Sequence, residues 1–167
     1  MGINPGASAP NKRWFPERFA QVADALLETG VQVLLLGAKA DLPQVQAVLQ
    51  AMKHSPINLA GQLSLDELIV CLGTLDVLIS GDTGPSHLAA AVGTPVVGLF
   101  GPSSARHYAP LGEQHVIIDR SSLCAPTCSF YVCRTGNRVC MQAITVQEVL
   151  EVVYGLLDQA CSDCWRG

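Results

Sequence analysis

The 167-residue sequence predicts an α/β fold, a Rossmann-like doubly wound parallel sheet, and three observations point there. Short, nearly continuous apolar runs, the pattern of strands buried on both faces, alternate with amphipathic segments of helical spacing. Such alternation implies a parallel sheet with right-handed crossovers. Hydrophobic residues make up 49% of the chain and charged ones only 14%, which suits a sheet covered on both sides or an apolar face meant for a second domain.

Each element has its own signature. Gly2-Ile3-Asn4 reads as a strand that leads straight into a loop, so the chain looks cut from a longer one. In Phe15–Thr29, Phe19, Val22, Ala23, Leu26 and Leu27 fall on one helical face, with Pro16 in the first turn and Gly30 at the stop. Val31–Leu36 ("VQVLLL") is a buried strand ending at Gly37, Leu42–Met52 a helix, and Asn58–Ala60 a short strand closed by Gly61. Ser64-Leu65-Asp66-Glu67 is a capping-box pattern that opens a helix to about Leu72. Asp76–Ser80 is a strand, Pro85–Val92 a helix, and Pro95–Phe100 and His115–Asp119 are strands. Thr145-Val146-Gln147-Glu148 starts a last helix that reaches about Leu157.

Several function classes drop out early. The net charge of −4, with no basic run, excludes a nucleic-acid partner. No apolar stretch approaches the roughly 18 residues of a membrane span, and "MGINPGASAP" lacks the features of a signal peptide. The expected setting is the cytoplasm, with peripheral membrane association at most.

In a doubly wound sheet ligands bind at the carboxyl ends of strands. The loops Asn4–Trp14, Gly37–Asp41, Gly61–Ser64, Gly81–His87 and Gly101–Pro110 are therefore where function should sit. "GDTGPSH" (Gly81–His87) holds the letters of an aspartic protease, but that chemistry needs two facing carboxylates that share a proton, on a β-rich fold. The alternative is an anion site. Thr83 or Gly84 would cap a helix, and free N–H groups and the positive dipole end would face the strand's exit. Gly84 would let a phosphate approach the backbone, and Ser86 and His87 would add hydrogen bonds. Read blandly, Asp82 and Thr83 only cap the helix and His87 is a satisfied, partly buried histidine. A carboxylate at Asp82 would repel a diphosphate unless it accepts hydrogen bonds from capping N–H groups or sugar hydroxyls, which is the favoured reading, or a cation intervenes. Lys12 and Arg13 are either solvated loop cations or contacts to that anion, and Arg106 and His107 could also reach the cleft.

"NPGASAPNKRWFPERF" (Asn4–Phe19), "SGDTGPSHLAAAVGTPVVGLFGPSS" (Ser80–Ser104) and "CMQAIT" (Cys140–Thr145) together resemble the C-terminal half of glycosyltransferase family nine, the ADP-heptose:lipopolysaccharide heptosyltransferases. The resemblance implies one half of a GT-B architecture: residues 1–160 as the domain that binds the nucleotide-sugar donor, 161–167 as a tail, and an absent N-terminal domain with the acceptor site and the general base. It implies that Asp82, Thr83, Gly84 and His87 line the donor diphosphate and sugar. Lys12 would meet the donor's sugar or phosphate side, Ser8 would lie near the phosphates, Asp41 at the adenosine ribose, and Leu63 and Ser64 against the adenine. The implied activity is inverting transfer of heptose from an ADP-sugar to the lipopolysaccharide core, with the acceptor met through the missing domain. No cofactor and no catalytic residue are expected in this chain. A stand-alone nucleotide- or sugar-phosphate-binding module is the other reading. The loop Ala7-Ser8-Ala9-Pro10 departs from the family in carrying fewer hydroxyl residues.

Seven cysteines without an export signal suggest a reducing compartment and free thiols. Cys124, Cys128, Cys133 and Cys140 crowd one segment. Their spacing leaves zinc, a disulfide and free thiols open. Cys161 and Cys164 form an isolated CxxC, and Cys71 reads as core.

Overall fold

The computed structural model describes residues 1–124 and 128–163. Six parallel strands form one sheet in the order β3-β2-β1-β4-β5-β6. They are β1 (Gly2–Asn4), β2 (Leu34–Leu35), β3 (Ile57–Asn58), β4 (Leu78–Gly81), β5 (Val96–Phe100) and β6 (Val116–Asp119). The longer helices are α1 (Pro16–Glu28), α2 (Leu42–Ala51), α3 (Leu65–Gly73), α4 (Gly84–Ala91) and α7 (Val146–Asp163), and α5 (Ala105–Tyr108) and α6 (Val139–Gln142) are single turns.

Alternate side chains along the strands divide the core into two layers, as the period of two requires. Ile3, Leu35, Val77, Ile79, Val97 and Leu99 face α1, α2 and α7, where Phe19, Leu26, Val48 and Val153 complete the larger cluster. Leu36, Leu78 and Val96 point the other way, against Leu72 of α3 and Ala89 of α4. α4 contributes both Ala89 and the partly buried Leu88 to that second layer.

The strand order reverses between β1 and β4, which pair in register over Gly2–Leu78, Ile3–Ile79 and Asn4–Ser80. The crevice of a doubly wound sheet opens at such a switch point. Successive crossovers leave β1 toward one edge and β4 toward the other, so the loops after them diverge and a gap opens between.

Two boundaries and two single turns depart most from the sequence expectation. Only Leu34–Leu35 of the expected strand Val31–Leu36 joins the ladder, because Val31 still donates its amide to Leu26 as part of the turn that closes α1. α7 runs to Asp163, past the expected end at Leu157 and into the expected tail. Residues 164–167, with Cys164, lie outside the described residues. α5 and α6 were not legible, being single turns without a period to read.

One buried carboxylate fixes how α2 ends against α1. Asp24, 7% exposed, accepts from the amides of Lys53 (2.9 and 3.1 Å) and His54 (2.9 Å). Its loss would strand two amide donors at the entry to β3. Asp24→Ala should cost about 1–3 kcal/mol of stability, read by urea denaturation; an unchanged midpoint would mean that water replaces the carboxylate freely.

Candidate functional site: the cleft at the β1/β4 switch

A cleft of about 470 Å³ opens at the carboxyl ends of β1 to β4. Every loop that follows these four strands contributes to its wall. Asn4, Gly6 and Ser8 come from the first, Asp41 from the second, Leu63 and Ser64 from the third, and Asp82, Thr83 and Gly84 from the fourth. Seven of the ten residues singled out in the sequence therefore meet in one cavity. Lys12, Ser86 and His87 do not line it.

The floor of the phosphate-like end is the start of α4. Thr83 stands at the N-cap in extended conformation, but its hydroxyl makes no cap bond. It is tied to Ser80 Oγ at 2.8 Å and accepts from Asn4 Nδ2 at 3.3 Å. Asp82 does not cap the helix either, because its carboxylate accepts from Lys12 Nζ at 2.6 Å. The purely capping reading of this loop is thereby overturned. The first amides of α4 keep their donors and the positive end of the helix dipole for something in the cleft. A Cβ added at Gly84 would meet nothing within 4 Å, so this glycine is not needed by the packing of the chain itself.

Ser86 is a correction. It is fully buried, and its hydroxyl donates to Thr83 O at 2.7 Å, so it shapes the loop from below instead of reaching a ligand. His87 is exposed in the first turn of α4, which removes the reading of a satisfied core histidine. Arg106 and His107, also exposed, stand apart from the cleft on α5. Arg13 donates to Ala7 O at 2.8 Å and so braces its own loop.

Lys12 answers the electrostatic difficulty at Asp82. The two side chains are only 11% and 10% exposed, and their ion pair spans 70 residues of sequence across the switch point. The intervening cation is a side chain of the protein. The ammonium offsets, at the cleft's edge, the charge of a carboxylate that would otherwise repel an anion.

The opposite end is apolar and better suited to a flat ring. Leu36, Leu59, Leu63, Leu65, Leu68 and Leu88 converge there. Ser64 is the N-cap of α3 and is engaged in the expected capping box. Its Oγ accepts from Glu67 N at 3.3 Å, while Glu67 Oε2 accepts from Ser64 N at 2.8 Å and Ser64 Oγ at 2.7 Å. These bonds hold the Glu67 carboxyl below its usual range. Between the two ends lies Asp41, whose Oδ2 accepts from Ala38 N at 3.0 Å. Its carboxylate lies across Gly6 so closely that a Cβ there would fall 2.2 Å from Asp41 Cγ. Only glycine admits Asp41 at that place.

Two wall residues escaped the sequence reading. Asn4, 2% exposed, ties β1 to β4 through Ser80 Oγ at 3.1 Å, and its Oδ1 is buried without a partner among the described residues. Its position as the last residue of the first strand was the available signal. Gly6 gave none, since its reason is a side chain 35 positions away in the sequence.

The cysteine segment lies beside this site. Cys124, Cys128, Cys133 and Cys140 line one small cavity and are all unpaired thiols. Among the described residues no group of three or more His, Cys, Asp or Glu is placed to hold a metal. Burial, and then the neighbouring Cys128 and Cys140, push the Cys124 thiol up to about 12. Burial raises Cys140 as well. Cys133 is lowered, first by the Thr135 hydroxyl and then by the Arg138 amide. Cys140 and Met141 are buried against Gly101, where a Cβ would fall 2.3 Å from Met141 Sδ.

A six-stranded parallel sheet in this order, with helices on both faces and an uncapped helix start at its switch point, defines a Rossmann-like α/β domain. The profile of glycosyltransferase family 9 (heptosyltransferase) matches residues 1–137, and the chain belongs to this family. It is 31% identical to a lipopolysaccharide heptosyltransferase 2 of Escherichia coli over 169 aligned positions, covering 95% of this chain and 47% of that protein. It is 33% identical over 123 positions to a lipooligosaccharide heptosyltransferase 2 of Haemophilus influenzae, covering 71% and 36%. A family 9 glycosyltransferase from Veillonella parvula superposes with a TM-score of 0.83 at 30% identity, over 95% of this chain and 45% of that one. The E. coli ADP-heptose lipopolysaccharide heptosyltransferase II gives 0.81 at 32%, over 95% and 46%. The chain thus spans about half or less of the length of these relatives.

Two outcomes test the site. Breaking one partner of a buried ion pair costs about 3–5 kcal/mol. Lys12→Met alone should approach that loss in chemical denaturation, and Lys12→Met with Asp82→Asn should recover most of it. Strictly additive losses would mean that the pair is not coupled. In timed maleimide labelling near neutral pH, Cys133 should modify first and Cys124 last, because only the thiolate reacts. The raised Cys124 thiol also adds stability that is complete below about 9 and is lost as pH climbs toward about 12.

Proposed function

We propose that this chain binds the nucleotide-sugar donor of a heptosyl transfer, with ADP-heptose as donor and the lipopolysaccharide core as acceptor. The observation that carries this reading is the uncapped start of α4, open to the cleft at the switch point, with the Lys12–Asp82 pair beside it. A diphosphate fits the free amides there. Asp41 sits where its carboxylate would accept from ribose hydroxyls, and Leu63 with the neighbouring leucines offers a surface for adenine. The E. coli relative at 32% identity carries ADP-heptose in its name, which supports adenine over other bases.

In the complete enzyme an N-terminal domain would complete the GT-B cleft, holding the acceptor and the general base. That base takes the proton of an acceptor hydroxyl, whose oxygen attacks the anomeric carbon from the face opposite the leaving group. The bond from the anomeric carbon to the phosphate oxygen breaks, its electron pair leaves with ADP, and the configuration inverts. Residues 1–160 contribute to this step by stabilising the charge that grows on the departing diphosphate, through the α4 amides and Lys12. No described helix is long and apolar enough to cross a membrane. The reading places the protein in the cytoplasm, at the inner face of the membrane that holds its acceptor.

Calorimetric titration with ADP, GDP and UDP tests the donor class, with ADP expected to bind tightest. Gly84→Ala should leave the denaturation midpoint within about 0.5 kcal/mol while weakening ADP by about 1–3 kcal/mol, since the new methyl occupies space meant for phosphate. Equal affinity for the three nucleotides would remove the case for ADP. Unchanged ADP affinity in the Gly84 variant would move the phosphate away from α4.

A further inference from the structure

Lys12 is held from two sides, and only one of them is charged. Opposite Asp82, the ring of Phe130 lies with its centroid 3.9 Å from Nζ, and that of Tyr108 lies 5.7 Å away. The two rings meet edge to face, 6.0 Å apart at 80°. An ammonium within about 6 Å of an aromatic face is attracted to it, and more strongly as water is excluded. Lys12 thus sits in a corner of one carboxylate and two rings.

Tyr108 comes from α5, but Phe130 comes from the segment that carries the cysteines. That segment is fastened to the Lys12 loop by hydrogen bonds on both flanks. Asn11 donates its amide to Phe130 O at 3.3 Å and its Nδ2 to Ser129 O at 3.1 Å. Arg138 Nη1 donates to Arg13 O at 2.9 Å and Pro10 O at 3.4 Å. Within the segment, Cys128 Sγ accepts from Arg134 N and Cys133 Sγ from Arg138 N, both at 3.3 Å. These bonds set the curve that carries Phe130 over Lys12.

The choice of rings over a second carboxylate has a consequence. Two carboxylates would neutralise the ammonium twice over and compete with any incoming anion. A ring holds the ammonium by its negative face without net charge and without demanding a particular hydrogen-bond direction. The ammonium can then turn from Asp82 toward a phosphate while its aromatic contact persists.

We propose that Phe130, with Tyr108, is a positioning residue for Lys12, and that the cysteine-bearing segment is the part of the fold that delivers it to the donor site. This rests on the reading of Lys12 as a contact to the donor's phosphate side. Calorimetry of ADP binding to wild type, Phe130→Leu, Phe130→Tyr, Lys12→Met and Phe130→Leu/Lys12→Met tests it, with the melting temperature of each variant measured alongside. Phe130→Leu should weaken ADP about two- to thirtyfold, Phe130→Tyr should restore the affinity, and Phe130→Leu should add nothing once Lys12 is methionine. Equal affinity in Phe130→Leu overturns the proposal, and so does a loss of the same size with and without Lys12, which marks a mere structural prop. If Lys12→Met itself leaves ADP affinity unchanged, the donor reading of Lys12 fails and the proposal falls with it. Should Phe130→Leu not fold, Tyr108→Leu, at a 45% exposed position, takes its place in the same cycle with the same expected signs.

Discussion

Everything in the cleft depends on β1 pairing with β4. Their register sets Asn4 beside Ser80, and Asn4 then ties Ser80 and Thr83 with a single amide group. Because the next crossovers leave in opposite directions, the loop with Lys12 and the loop with Asp82 face each other over a gap that no other strand fills. The ion pair spans this gap, and the first turn of α4 opens beside it. A register slip of one residue would reverse every side chain on the shifted strand and leave neither layer packed. The position of the cleft is therefore as strongly determined as the core itself.

An anion site cannot be built from attraction alone, because an unpartnered cation or row of amides at the edge of a core is costly to bury. Here the free chain balances its charges internally. Asp82 neutralises Lys12, Ser80 and Asn4 occupy the Thr83 hydroxyl, and Ser86 bonds backward to Thr83 O. The amides of the α4 start, by contrast, have no side-chain cap. A ligand with diffuse negative charge and many acceptors suits those donors and can compete for Lys12, whereas a neutral ligand would gain little there.

How much of this was legible in the sequence depended on the range of the interactions. Features set within one turn or one strand read well: both capping-box patterns stand at helix starts, and Gly81–His87 is a strand exit followed by a helix. The loops that line the cleft followed from the alternation of elements alone. The Ser64 cap could be read because Glu67 lies three residues away. Ser86 was misjudged because burial in the first turn of α4 depends on how that helix docks. For Asp82 the sequence reading favoured capping amides and hydroxyls and gave a cation only as the alternative, and it is the cation that the fold supplies. That this cation is Lys12, 70 positions earlier, is a product of strand order. Gly6 and Phe130 were invisible for the same reason, since each is explained by a residue far away in sequence.

This difference in range divides the site physically. The apolar, leucine-lined end gathers β2, the loop after β3, α3 and α4, and of these only the start of α3, with its capping box, is set locally. The charged end is assembled from β1, β4, α5 and the cysteine segment, which only the complete fold brings together. Local structure can form and reform without the rest of the protein, but long-range contacts appear and disappear cooperatively with it. The geometry of the charged end therefore depends on the whole domain being folded. Lys12, braced by Asp82 on one side and by rings from two other elements on the other, is the residue on which that dependence converges.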